Sequence, residues 1–200
     1  LTFADPDGIA IELVATADDR RPGWTDGPVP AASALHGLHT VLVQVAAAAP
    51  TEALITGEMG YRLVRREGAR ARFETGDGGP GTSIDVLATP TAAPGLGGIG
   101  TVHHIAWRVP DDASQRAMQA RLAGAGYLVS DVRDRNYFRS IYYRERGGVL
   151  FEIATDAPGF PVDEPVETLG NALKLPGQFE HARSEIEHLL PALRTARAYA

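Results

Sequence analysis

Two segments of the chain repeat one pattern of apolar and polar residues. Each begins with a run of alternating apolar residues, continues with apolar residues spaced three and four apart, and ends with three further alternating runs. Alternation with period two indicates a half-buried β-strand, whereas the wider spacing indicates a helix. His39 in the first segment corresponds to His103 in the second, an offset of 64 positions. We therefore predict a duplicated β-α-β-β-β module, over residues 36–90 and 101–156.

Each module is predicted to contain one helix and four strands. The second helix should begin after Asp111, whose carboxylate can accept a hydrogen bond from an N–H group of the first helical turn. Gly124 and Gly126 should end it, because glycine readily adopts the backbone conformation found at helix C-termini. The predicted strands are 38–45, 62–64, 70–73 and 83–88 in the first module, and 101–109, 128–132, 138–144 and 149–154 in the second.

The first 15 residues predict a hairpin that resembles the end of a module. Glu12 follows Gly8 by four residues, and the second module ends in the same way at Glu152, four residues after Gly148. We interpret residues 1–15 as the end of a preceding module, and Glu12 as a relic of duplication or a residue that serves the fold. Because the chain begins with Leu1 inside a predicted strand, we expect it to be a fragment or a processed chain.

Two segments outside the modules have a different composition. Residues 16–35 are rich in proline and glycine, which is typical of a linker. Residues 157–200 predict an extended arm followed by helices at 166–173 and 179–197, the second with apolar residues at helical spacing. The chain is therefore expected to end in helices that follow the second module.

Composition and charge exclude several kinds of partner. The 200 residues have a formal net charge of −6 and contain no run of five basic residues, which argues against nucleic acid and anionic membranes. No apolar run reaches the roughly 20 residues needed to span a bilayer. Cysteine is absent, so disulfides, thiolate metal sites and cysteine nucleophiles are excluded, and a reducing, cytoplasmic location is expected.

One carboxylate interrupts an apolar strand near the end of the second module. Glu152 would be costly to bury there unless it were paired or bound to a metal. His104, on the strand that opens the module, is the candidate partner, and an imidazole with a carboxylate supplies two of the three ligands of a facial Fe(II) triad. A third ligand is not evident. Alternatively, Glu152 pairs with Arg108 or Arg139, and His104 is a hydrogen-bonded histidine near the core.

The repeat and three motifs resemble a known family. The motifs are GTVHHIAWRVPDD at 100–112, DRNYFRSIYYRE at 134–145 and GGVLFEIATD at 147–156. They resemble the vicinal-oxygen-chelate superfamily of glyoxalases, bleomycin-resistance proteins and extradiol dioxygenases, and within it the hydroquinone ring-cleaving dioxygenases. The resemblance implies an α+β fold in which tandem β-α-β-β-β modules form cupped mixed sheets around a metal, followed by C-terminal helices.

The resemblance also implies a set of metal ligands. Members of this group bind Fe(II), or in some cases Mn(II), through a histidine of the first module and a histidine and a glutamate of the fourth. His104 and Glu152 match the ligands of the fourth module. The resemblance implies that this chain is the C-terminal part of such an enzyme and lacks the first module with its histidine. Thr40 occupies the equivalent strand position in residues 36–90.

Three further residues match positions near the metal in these enzymes. His103 and Arg135 could stabilise an oxygen-derived anion, and Tyr142 could orient a phenolate or transfer a proton. Arg139 competes with Arg135 for its role, and Tyr143 competes with Tyr142. Alternation also allows His103 to be a packed residue of the core.

The predicted function is that of a non-haem Fe(II)-dependent ring-cleaving dioxygenase acting on hydroquinone-type aromatics. Its partners would be a small aromatic substrate and O2, and the resemblance is compatible with a homo-oligomer. Two alternatives stay open. One is another metal-dependent enzyme of the superfamily, an isomerase or a thiol transferase, and the other is a metal-free protein that binds an aromatic drug.

Overall fold

Ten β-strands form two four-stranded mixed sheets and one short hairpin within the described residues. This computed structural model describes residues 1–17, 19–93, 95–98 and 100–191. The strands are β1 (Thr2–Ala4), β2 (Ala10–Glu12), β3 (Thr40–Val45), β4 (Arg62–Glu67), β5 (Arg70–Glu74), β6 (Ser83–Ala88), β7 (Ile105–Val109), β8 (Arg133–Asp134), β9 (Arg139–Arg144) and β10 (Leu150–Thr155). The α-helices are α1 (Ala48–Gly57), α2 (Asp112–Gly124) and α3 (Arg183–Leu189), and short 3-10 turns lie at Ala31–Ser33, Phe160–Val162, Val166–Thr168 and Gly177–Ala182.

The two sheets have the same topology. The first sheet has the order β3-β6-β5-β4, and the second has the order β7-β10-β9-β8. In each sheet the first and last strands in sequence lie parallel and side by side, and the helix and middle strands form the crossover that a parallel pair requires. The predicted α+β fold of repeated mixed sheets with a C-terminal helix is confirmed. In the part of the chain that is described, no helix has the length and apolarity needed to cross a membrane.

One hydrophobic core contains residues of both sheets and of α1 and α2. Its buried apolar residues are Val43, Val45, Leu54, Ile55, Tyr61, Ala71, Phe73, Ile84, Val86, Leu122, Ile141, Tyr143, Phe151 and Ile153. Trp107 in the second sheet donates a hydrogen bond from Nε1 to the hydroxyl of Tyr61, at 2.8 Å. Because alternate residues of a strand point to opposite sides, each sheet turns its other, more polar face away from this core. We call these two surfaces the polar faces.

A buried hydrogen bond also connects the two modules. Thr51 in α1 donates from Oγ1 to Oε2 of Glu145, in the turn between β9 and β10, at 2.6 Å. The backbone N–H of Val149 donates to Oε1 of the same carboxylate, at 2.9 Å. Both oxygens of a buried carboxylate therefore have partners, as the cost of burying a charge requires. The packing of the first module against the second depends on this contact as well as on the core.

The prediction of a strand at 128–132 is wrong. The N–H of Ser130 donates to the carbonyl of Tyr142, but the N–H of Tyr142 donates to the side-chain hydroxyl of Ser130, at 3.0 Å. The side chain of Ser130 thus replaces a backbone acceptor, and regular pairing begins only at β8. Leu128 is 95% exposed, so its apolar character does not indicate a strand that faces the core.

The C-terminal helices are also shorter than predicted. Only one 3-10 turn forms in the segment 166–173, because Gly170 follows with a φ of +78° and reverses the chain. The helix predicted at 179–197 begins as the 3-10 turn Gly177–Ala182 and continues into α3. The part of that prediction at 192–197 lies outside the described residues.

Ion pairs cover the polar face of the first sheet. Asp85 on β6 is 1% exposed and accepts hydrogen bonds from Arg70 and Arg72 on β5, at 2.7 and 2.8 Å. Arg70 also donates to both carboxylate oxygens of Glu12 at 3.1 Å, which attaches the hairpin of β1 and β2 to this sheet. Burial alone would raise the pKa of Asp85, but the hydrogen bonds from Arg72 and Arg70 hold it below its ordinary value of 3.8.

The Thr51 contact predicts a loss of stability on substitution. Thr51→Val keeps the shape of the side chain but removes the donor to Glu145, so we expect unfolding to become easier by about 1–3 kcal/mol. Thr56→Val, on the exposed side of the same helix, is the matched control and should change stability by less than about 0.5 kcal/mol. Urea unfolding followed by circular dichroism measures both. Equal stability of the two variants would contradict the role of this contact.

The Asp85 ion pairs predict how stability depends on pH. Since the pKa of Asp85 is lower in the folded than in the unfolded protein, its contribution is present above about pH 4 and is lost as the pH falls through the folded value. We expect Asp85→Asn to lower the free energy of unfolding at pH 7 by about 1–3 kcal/mol, and by less at pH 3. Urea unfolding at both pH values tests this, with the exposed carboxylate variant Asp77→Asn as control. A deficit independent of pH would contradict the account.

Candidate metal centre

The carboxylate of Glu152 lies at the middle of the second sheet, where it is 2% exposed. Its strand, β10, runs between β7 and β9, and Glu152 is directly opposite Ala106 on one side and Tyr142 on the other. His104 lies two residues before Ala106 and therefore points to the same side of the sheet. Its Nε2 is 2.6 Å from Oε2 of Glu152. The structure thus brings together the two residues predicted as metal ligands.

The strand that carries His104 starts later than predicted. Regular pairing begins at Ile105, so His103 and His104 lie just before β7 and not within a strand that starts at residue 101. The ring of His104 is one-third exposed, in contrast to the buried carboxylate beside it. A histidine at the end of a strand keeps one side open to solvent, which a substrate or a further ligand could approach.

The second oxygen of Glu152 accepts two hydrogen bonds. The hydroxyl of Tyr142 donates to Oε1 at 3.0 Å, and the hydroxyl of Ser140 donates to the same atom. Ser140 is not among the site residues predicted from the sequence. The sequence indicates Ser140 only through its position. It precedes Tyr142 by two residues and therefore lies on the same face of β9 as Tyr142. Glu152 therefore directs Oε1 towards two hydroxyl groups and Oε2 towards His104.

Two other site residues predicted from the sequence, His103 and Arg135, lie beside His104 and Tyr142. His103 is exposed, with Nδ1 2.8 Å from Nδ1 of His104, so it is not a packed residue of the core. Arg135 lies in the turn between β8 and β9, with Nε 3.3 Å from the hydroxyl of Tyr142 and its guanidinium carbon 5.3 Å from the centre of that ring. The contacts therefore run from Arg135 through Tyr142 to Glu152.

The competing residues lie elsewhere. Arg108 pairs with Asp156 at 2.7 Å, and Arg139 pairs with Asp112, so neither forms the alternative ion pair with Glu152. Tyr143 is buried in the core, where burial raises the pKa of its hydroxyl. Arg139 and Tyr143 are thus separated from the metal-site candidates by the alternation of β9.

The corresponding position of the first sheet has different chemistry. Asp85 is the third residue of β6 as Glu152 is the third residue of β10, and each strand lies beside the opening strand of its module. Thr40 stands where the second module has His104, and Arg72 pairs with the carboxylate where the second module has a tyrosine. The partners of the buried carboxylate are therefore guanidinium groups in the first sheet, and an imidazole and two hydroxyl groups in the second.

The pair of His104 and Glu152 fits two positions around a metal ion. Two ligand atoms at about 2.1 Å from one ion and at right angles lie about 3 Å apart, so their 2.6 Å contact would need to open by only about 0.4 Å. In such a site the ion takes the place of the proton that the imidazole and the carboxylate share. Among the described residues, no group of three or more His, Cys, Asp or Glu is arranged to hold a metal.

Known proteins resemble this chain in sequence and in fold. Residues 28–153 match the family described as the Glyoxalase/Bleomycin resistance protein/Dioxygenase superfamily. MhqO of Bacillus subtilis (strain 168), a candidate ring-cleaving dioxygenase, is 44% identical over 190 residues, which cover 94% of this chain and 60% of MhqO. The chlorohydroquinone/hydroquinone 1,2-dioxygenase of Sphingobium indicum is 34% identical over 191 residues, which cover 93% of this chain and 59% of that protein.

One solved structure resembles both the fold and the sequence of this chain. It is the crystal structure of a candidate dioxygenase from Bacillus subtilis subsp. subtilis str. 168, with a TM-score of 0.87 and 43% identity, over 95% of this chain and 61% of that one. The chain thus spans about three-fifths of the length of the relatives it matches. The family match extends over more than half of the residues, and the chain belongs to the glyoxalase/bleomycin resistance protein/dioxygenase superfamily.

Proposed function

We propose that this chain is the C-terminal part of a non-haem Fe(II)-dependent dioxygenase that cleaves hydroquinone-type aromatic rings. The observation that carries the proposal is the contact of 2.6 Å between His104 and Glu152 on the polar face of the second sheet. The names of two relatives, a candidate ring-cleaving dioxygenase and a hydroquinone dioxygenase, support the reaction and the class of substrate.

The third metal ligand would come from residues that this chain does not contain. Two observations support this part of the proposal. The described residues supply only two ligands at the site, and the matched relatives are longer than the chain. Residues 1–15 would then end a preceding module, 16–35 would form a linker, 36–90 and 101–156 would be complete modules, and 157–200 would form the C-terminal arm. Mn(II) is the alternative ion for the same oxygen and nitrogen ligands.

His104 and Glu152 would hold the ion, and His103 would orient His104. When bound, Fe(II) would supply Lewis-acid activation of a substrate hydroxyl and a path for electrons from the ring to O2. If the metal were bound by Nε2 of His104, the proton of that ring would lie on its Nδ1. The Nδ1 atom of His103 is 2.8 Å from this nitrogen and would accept the hydrogen bond. Because His103 is exposed, its other nitrogen can donate to an oxygen-derived anion.

Tyr142 and Arg135 would act on the substrate. The hydroxyl of Tyr142 lies between Oε1 of Glu152 and Nε of Arg135, so it can donate to a phenolic oxygen or transfer a proton. The guanidinium of Arg135 can stabilise negative charge that develops on an intermediate. A cytoplasmic location and assembly into a homo-oligomer are further parts of the proposal.

The central test is the removal of His104. We expect His104→Ala to lower the affinity for Fe(II) by more than about 100-fold, since even the loss of an outer partner of a metal ligand costs 10- to 100-fold. Oxygen uptake with hydroquinone should then be lost. The measurements are anaerobic Fe(II) titration and oxygen consumption on the full-length product of the gene, with His188→Ala as control. Ring cleavage that survives in His104→Ala would contradict the proposal.

Other results would identify the alternatives. Activity on a glutathione adduct under nitrogen, without oxygen uptake, would favour an isomerase or a thiol transferase. Tight binding of an aromatic compound that is unaffected by a chelator would favour a metal-free binding protein. Reconstitution with Mn(II) in place of Fe(II) compares the two ions directly.

A further inference from the structure

We propose that Ser140 is a positioning residue of the metal centre. Together with Tyr142 it occupies Oε1 of Glu152, so that Oε2 alone faces His104 and the ion. The inference rests on the proposed function and assigns a role to a residue that does not touch the substrate. Its consequence is a carboxylate that binds through one oxygen, which leaves more positions of the metal open for substrate and O2.

The hydrogen bonds at Glu152 support single-oxygen binding. Oε1 accepts from the hydroxyl of Ser140 and from the hydroxyl of Tyr142, the latter at 3.0 Å. A carboxylate oxygen has about two lone-pair sites, so both sites of Oε1 are in use. Oε2 has the imidazole of His104 as its partner, at 2.6 Å. An ion that replaces the shared proton would therefore meet Oε2 and not Oε1.

A side chain of α2 holds the backbone next to Ser140 and the backbone next to Glu152. Gln115 in α2 is buried and donates from Nε2 to the carbonyl oxygens of Arg139 and Ile153, at 2.7 and 2.8 Å. These two residues directly precede Ser140 and directly follow Glu152. The side-chain amide of Gln115 thus fixes β9 against β10 at the level where the hydroxyl meets the carboxylate.

Ser140 and Tyr142 differ in their exposure to solvent and in their other contacts. Ser140 is 0% exposed, whereas Tyr142 is partly exposed and also contacts Arg135. If Tyr142 turns towards a phenolic oxygen or transfers its proton, its bond to Oε1 is interrupted. Ser140 would then be the donor that keeps Glu152 in place during the reaction.

The test compares Ser140→Ala with Ser83→Ala, which removes a buried hydroxyl from the first sheet. The full-length gene product is titrated anaerobically with Co(II), and difference infrared spectra are recorded with and without the metal. We expect Ser140→Ala to lower Co(II) affinity by about 10-fold or more. The separation between the antisymmetric and symmetric carboxylate stretches should become smaller, as binding through two oxygens requires. Ser83→Ala should leave affinity and spectrum unchanged.

Each outcome decides one of the two proposals. Unchanged affinity and stretches in Ser140→Ala, with metal still bound by the unsubstituted protein, would overturn the role of Ser140 alone. Failure of the unsubstituted protein to bind metal would overturn the proposed function instead. Whether Ser140 positions Glu152 against His104 is tested separately, in the metal-free protein, by nuclear magnetic resonance of the His104 ring. Its signals should shift in Ser140→Ala and not in Ser83→Ala, and no shift would overturn the proposal.

Discussion

The polar face of the second sheet is organised by the need to satisfy one buried carboxylate. Glu152 is 2% exposed at the centre of its sheet, and burying a carboxylate in that position is costly unless both of its oxygens have partners. The imidazole of His104 and the hydroxyls of Ser140 and Tyr142 provide those partners. A carboxylate held in this way is already oriented, so little rearrangement is needed to exchange the shared proton for a metal ion.

The two sheets share one topology and differ in the partners of a buried carboxylate. At matching positions the first sheet has Asp85 and the second has Glu152, both buried. Arg70 and Arg72 neutralise Asp85, and their guanidinium groups stay positively charged. The ion pairs of Asp85 therefore contribute to stability. In the second sheet the corresponding carboxylate meets an imidazole, a side chain that can also bind a metal ion, and the proposed metal centre rests on this difference. The partners of the buried carboxylate therefore distinguish the two sheets, with guanidinium groups in the first and an imidazole and two hydroxyl groups in the second.

Two arguments account for what could be predicted of the site from the sequence. The cost of burying a carboxylate without a partner paired Glu152 with His104. Alternation along β9 separates Tyr142 from Tyr143, because that inference needs only the period of two. It could not identify Ser140, since a serine in a strand has no distinguishing chemistry until its partner is known. Nor could it find the irregularity at 128–132, which depends on the side chain of Ser130 replacing a backbone acceptor. Arg135 lies in a turn, where no periodicity determines the direction of a side chain.

The most direct measurement is anomalous diffraction at the iron edge, from crystals of the full-length gene product grown anaerobically with Fe(II). We expect one peak within about 2.0–2.3 Å of both Nε2 of His104 and Oε2 of Glu152, as bonds from a metal to nitrogen and oxygen require. A third protein ligand should come from residues outside this chain. Iron bound at another place, or in contact with neither of these two atoms, would contradict the account.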